Sequence, residues 1–422
     1  MDRATDSLRA ATQPQHEQLD TLPYARALLD GTLPMGRYAG FLHAVHTVHE
    51  ALEQIVERTG DSALPQLFGQ SAQRRGLLAR DLAYLRVDQR AVDTAQLRAL
   101  LLAQQVRLDA RRDPRRLLGC AYVLEGSQLG GLLQARTLAS RAELSAGGRA
   151  YLEGAGKATQ TTFQDFLERL ERHLRDPEAL AQAIVGARTM FAGFAAILDA
   201  LAPDGPADAH RWLVSELNRD AGTHPIPGDL REVLAALRAG EHSYLQFAYY
   251  EARYGERGQR FTRSDSAWLA TLARDDDHAS TLRHVCWLGR TLSARGMPRL
   301  LLEQHLDVLH SALVEHVPER APSYVVLSRA AEQLRAERET ALPEERAQAL
   351  QADFVGALAG APERGVAPRE AATLLAAAVA DERAGVGGAV PALTAWLCDP
   401  IFFSAAWRAA ATRTIAATRE SR

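Results

Sequence analysis

Apolar residues recur at helical spacing almost from end to end of this chain, and that pattern admits one fold class. Phe41-Leu42, Val45 and Val48 step along one helical face with polar residues between them. The same step returns at Leu97, Leu100-Leu101 and Val106, and again at Phe163, Phe166-Leu167 and Leu170. Alternating β-branched residues, the mark of strands, are rare. The expected fold is all-α. With 47% hydrophobic residues in 422, there is material for more than one core. Residues 201–208 interrupt the periodicity with two prolines and a glycine, and residues 220–228 and 254–258 punctuate it again. These breaks predict a first helical domain over 1–202, a linker over 203–228 and a second all-helical domain over 229–422.

Charge and cysteine usage narrow the function classes. A net charge of −3 makes no global electrostatic case for nucleic acid or an anionic membrane. Cys120, Cys286 and Cys398 are far apart and odd in number, so they form no CxxC pair, zinc spacing or disulfide framework. A reducing cytoplasm is the expected compartment. The start, Met1-Asp2-Arg3-Ala4-Thr5-Asp6, lacks the apolar region of a signal peptide. No uninterrupted apolar run reaches the roughly 18 residues needed to cross a bilayer.

The densest motif is the stretch 118–131, helical in setting yet bearing Gly119, Gly126, Gly130 and Gly131. Each interior glycine costs a helix roughly 1 kcal/mol against alanine. That cost implies close approach of the backbone to something flat, either a neighbouring helix or a planar ligand. Upstream, His16 and Asp20 form an i,i+4 pair whose side chains share a helical face. A metal-bound imidazole normally donates its other N–H to a carboxylate or carbonyl, and Asp20 is placed for that role. One histidine is too few for a structural zinc site and adequate for a haem iron.

In family order, these pieces resemble a biliverdin-producing haem oxygenase of the bacterial, phytochrome-associated type. The resemblance rests on the LRxxT…HExLD opening around Leu8, His16 and Asp20, then on Leu29-Asp30-Gly31-Thr32-Leu33-Pro34 with Tyr38 and Phe41-Leu42. It continues through Tyr122-Val123-Leu124-Glu125-Gly126-Ser127 and Leu129-Gly130-Gly131 to Tyr151-Leu152-Glu153-Gly154 with Phe163 and Phe166. About half of the chain is covered. The resemblance implies a haem-oxygenase-like helical bundle in which haem is both substrate and cofactor. It makes His16 the proximal iron ligand, Asp20 its partner, and Gly126, Ser127, Gly130 and Gly131 the cover of the distal face. Arg9 and Arg188 become the candidate partners of the haem propionates. The implied reaction consumes O2 and external electrons, from a ferredoxin or reductase, and yields biliverdin, carbon monoxide and ferrous iron. A phytochrome is the implied recipient of the biliverdin. Ser127 stands where animal haem oxygenases carry a distal carboxylate.

Rival chemistries lack their residues. Of the 13 histidines none has Glu three positions before it, so the Glu-x-x-His pairs of di-iron bundles are missing. Cys120 and Glu125, five apart on a helix, do not share a face as a nucleophile and its carboxylate would. His43, His46 and His49 spiral off one face, and His305 and His310 lie about 140° apart around a helix. The tyrosine- and arginine-rich block 244–261 reads either as a tetrapyrrole or partner surface or, more simply, as a core-facing aromatic stripe. The second half names no chemistry, and a regulatory or docking role is expected of it. A non-catalytic sensor or interaction protein that binds haem or biliverdin is the alternative reading.

Overall fold

The computed structural model describes residues 3–58, 67, 74–85, 93–204, 212–275, 277–358 and 362–419. Among them every regular element is helical, apart from two isolated antiparallel bridges, Leu213 with Pro225 and Glu363 with Val366. The chain separates into two compact units, Met1–Ala209 and His210–Arg422.

The first unit holds α1 (Ala4–Thr21), α2 (Pro23–Leu29), α3 (Met35–Arg58), α4 (Arg74–Leu85), α5 (Asp93–Arg112) and α6 (Arg116–Ala139). It continues with a single turn α7 (Ala150–Glu153), α8 (Thr159–His173) and α9 (Pro177–Ala200). The start of α9 follows directly from its sequence. Asp176 accepts a hydrogen bond from the Glu178 amide, and Pro177 fixes the first helical position. This 24-residue helix is long and apolar enough, by length and composition, to cross a membrane. The run is not uninterrupted, since Gln182, Arg188 and Thr189 fall within it. In the structure α9 packs on α6, α5 and α1, with Ala183, Ala187, Met190 and Ile197 fully buried. Small residues let α9 and α6 touch backbone to backbone. A Cβ on Gly119 of α6 would overlap the Ala183 carbonyl, and one on Gly186 of α9 would overlap the Arg116 carbonyl.

The second unit begins with a structured connection. The Val214 amide donates to His224 and the Ile226 amide to Trp212, while Trp212, Val214, Leu217 and Ile226 are buried. The stretch expected as linker therefore lies largely within this unit, because four apolar side chains anchor it; residues 205–211 lie outside the described residues. A short α10 (Val214–Leu217) sits there. The helices α11 (Leu230–Gln246), α12 (Ala248–Leu272), α13 (His278–Ser293), α14 (Arg299–His316) and α15 (Ala321–Ala341) follow. The unit ends with α16 (Glu344–Gly356), α17 (Pro368–Arg383), α18 (Ala389–Leu397) and α19 (Ala405–Arg419). Gly255, at φ 50°, kinks α12. The tyrosine-rich block supplies core: Tyr244, Tyr249 and Tyr250 are buried, and Tyr249 packs edge-on to Trp396. Arg253 lies over the rings of Tyr249, Tyr254 and Trp396 and donates to the Ala392 carbonyl at 2.9 Å. His305 is buried between Ser243 and Ser266, whose Oγ atoms lie 2.8 and 3.1 Å from its ring nitrogens.

Candidate functional site

A cavity of about 490 Å³ opens in the first unit between α1, α6, α8 and α9. This volume falls within the roughly 300–1,000 Å³ typical of small-molecule sites. From α1 come Arg9, Thr12, His16 and Asp20; from α6 come Gly126, Ser127, Gly130 and Gly131. Seven of the eight residues expected at the site, separated by more than a hundred positions, thus border one space. Arg188 is the exception. It projects from α9 outside the cavity wall and donates Nη2 to the Ala11 carbonyl at 3.1 Å.

Each expected residue can be read from its surroundings. His16 is 61% exposed, and its Nδ1 lies 3.4 Å from Asp20 Oδ2. Nε2 is therefore left for a ligand, in the arrangement that fixes the tautomer of an iron-bound imidazole. The ring meets Phe191 of α9 edge-on, with centroids 6.1 Å apart. A Cβ built on Gly130 meets nothing within 4 Å, so the helix presents bare backbone to open space there. At Gly126 the nearest neighbour would be the Phe163 ring, at 3.8 Å. Gly131, though it borders the cavity, answers to packing, since a Cβ would stand 3.1 Å from the Leu152 carbonyl. The Ser127 hydroxyl turns back to donate to the Leu124 carbonyl at 2.8 Å, leaving only lone pairs to face the cavity.

The second wall was not foreseen from the sequence. Phe191, Phe194 and Leu198 of α9 supply an apolar side, and Arg3 adds a second cation near Arg9. The pair Phe191 and Phe194, three apart in an alanine- and glycine-rich helix, was the available signal. Tyr122 also borders the cavity; burial raises its pKa, and the nearby Arg9 guanidinium opposes the shift. Behind α6, Arg74 of α4 donates to the Leu124 carbonyl at 3.0 Å and to Glu125 at 2.8 Å, both within the interior. Burial raises the Glu125 pKa and Arg74 pulls it back. This buried pair fixes the rotation of α6, and so which glycines face the cavity.

Together the donor set fits haem. One imidazole is oriented by a carboxylate, a flat glycine face lies bare, the remaining wall is aromatic, and two arginines stand ready for carboxylates. Among the described residues no group of three or more His, Cys, Asp or Glu could hold a separate metal ion.

Residues 2–200 match the family model described as "Heme oxygenase". The matched residues thus fall within the unit that contains the cavity. No curated protein matches the chain. Among solved structures, haem oxygenase from Leptospira interrogans is similar at 19% identity, covering 47% of this chain and 99% of its own, with a TM-score of 0.42.

Proposed function

We propose that the first unit is a haem oxygenase that opens haem oxidatively to biliverdin, carbon monoxide and ferrous iron. The observation that carries this reading is the single cavity that joins His16 and its Asp20 partner to the bare glycine face of α6. Bound haem, the substrate, brings the iron at which O2 is activated. The protein's own contribution is placement. His16 Nε2 holds the iron, and Asp20 keeps the other nitrogen's proton in place. Backbone at Gly126 and Gly130 lets the ring lie close while leaving no strong acid or base above it. Arg9 and Arg3 take the propionates, which sets the ring's orientation in the cavity. Phe191, Phe194 and Leu198 exclude water from its apolar edge.

Electrons come from a ferredoxin or reductase, and the product passes to a biliverdin acceptor such as a phytochrome. The second unit serves in regulation or partner docking. The test is a visible absorption time course of the full-length chain with one equivalent of haem, then ferredoxin, its reductase and NADPH. Loss of the Soret band with growth of a broad red band is expected, and His16→Ala should lose the axial histidine signature from the start. A Soret band that forms and never decays would instead mark a haem-binding sensor. No Soret shift at all would defeat both readings.

A further inference from the structure

The helix that bears Arg9, His16 and Asp20 is fastened at its start by a residue from elsewhere in the fold. The first amides of any helix lack internal partners. Arg3, at the N-cap position of α1, offers no side-chain acceptor. Glu171, near the end of α8, fills that role. One carboxylate oxygen accepts from the Ala4 amide at 2.9 Å, and the other accepts from the Thr5 amide at 2.9 Å and from the Thr5 hydroxyl at 2.8 Å. Burial alone would raise the Glu171 pKa; the hydrogen bonds from Thr5 and Ala4 outweigh it and hold the carboxyl below its usual range. Thr5 is itself buried and borders the cavity, so the fastening reaches the cavity wall.

A second tie lies one turn before His16. Pro14 has no N–H, so it breaks the helical hydrogen bond to Ala10. The adjoining carbonyl, Ala11, receives Arg188 from α9 at 3.1 Å. Both ties come from side chains outside the cavity lining.

We propose that Glu171 is a positioning residue for the ligand-bearing helix, with Arg188 as its auxiliary. The assignment rests on the haem reading above. A ligand that binds only when α1 is docked has its apparent affinity reduced by the docked fraction. Weakening the cap therefore lowers affinity without removing a ligand contact.

The test is titration of the full-length chain with ferric haem, alongside hydrogen exchange of the Ala4 and Thr5 amides. Glu171→Ala is expected to raise the apparent Kd about tenfold, equivalent to 1.4 kcal/mol, and to speed exchange at both amides. Glu171→Gln keeps one accepting oxygen but sets its NH2 against the other amide donor, so its affinity should fall between those of the unaltered chain and the alanine variant. Glu171→Asp keeps the charge but falls short of α1, and should behave like the alanine variant. Asp229→Ala removes the cap of α11 in the second unit, where its side chain accepts from the Arg231 amide; haem affinity should not change. A purely structural Glu171 would lower melting temperature in the 171 and 229 variants alike and leave haem affinity untouched in both. Unchanged affinity and unchanged exchange in Glu171→Ala would overturn the assignment. Failure of the unaltered chain to bind haem would defeat the haem reading instead, and amide exchange would then report the clamp by itself.

Discussion

A methyl group added at Gly119 and one added at Gly130 meet opposite fates within a single helix. At Gly119 it overlaps the carbonyl of Ala183 on the neighbouring helix; at Gly130 it enters open space. Gly119→Ala should therefore destabilise the ligand-free protein by up to about 3 kcal/mol, the upper range for overpacking. Gly130→Ala should stabilise it by roughly 1 kcal/mol through helix propensity alone. Urea denaturation of the two variants checks both signs, and a stable Gly119→Ala would mean that α6 and α9 do not meet as described. The sequence places both glycines near one face, and seven of the eight expected site residues do border one cavity. What it could not settle is which glycine serves packing and which serves the ligand. That depends on the register of α9, whose contacting residues lie more than sixty positions downstream. Arg188 shows the same limit: an arginine of the right type on the right helix points to a backbone carbonyl instead of the cavity.

Helix formation was legible because periodicity is local, while helix partnership was not. α9 is the plainest case. Its composition would suit a membrane, and only its neighbours α1, α5 and α6 show where the apolar faces go. His49, one of a histidine series with no evident purpose in the sequence, is another. It is buried on α3 beside Tyr151 of α7, with Nε2 3.2 Å from the tyrosine oxygen. Burial pushes its pKa down to about 3, with Arg74 and His46 adding to the effect. The folded state thus holds His49 neutral where the unfolded chain, near 6.5, would bind a proton. Its contribution to stability is complete above pH 6.5 and is lost as pH falls toward 3. Between pH 7 and 5 the loss should reach about 2 kcal/mol. Burial also raises the carboxyls of Glu53, Asp81 and Glu125, so the raw pH profile is composite. Comparison with His49→Gln isolates the histidine: the unaltered chain should lose more stability than the variant between pH 7 and pH 5. Parallel losses would mean that His49 is not held neutral.

At the scale of the whole molecule, the two units have separate hydrophobic cores and an uneven distribution of chromophores. One core is built around Leu42, Val45, Phe166 and Met190, the other around Tyr249, Phe354, Trp396 and Trp407. All five tryptophans, Trp212, Trp268, Trp287, Trp396 and Trp407, lie after residue 209. Tryptophan emission therefore follows only the second unit, while the expected haem band follows only the first. A unit with its own core can in principle fold alone, and at about 200 residues each is of ordinary domain size. Residues 1–209 expressed by themselves should unfold cooperatively and bind haem as the full chain does. Residues 210–422 should reproduce the full chain's tryptophan transition in urea. The division matters where the periodicity breaks, since the buried side chains of Trp212, Val214, Leu217 and Ile226 belong to the second unit. A second segment begun at residue 229 discards those four and the Leu213–Pro225 bridge, so its denaturation midpoint should fall below that of 210–422. Equal midpoints would show that the stretch before Asp229 is a tether with no part in the second core.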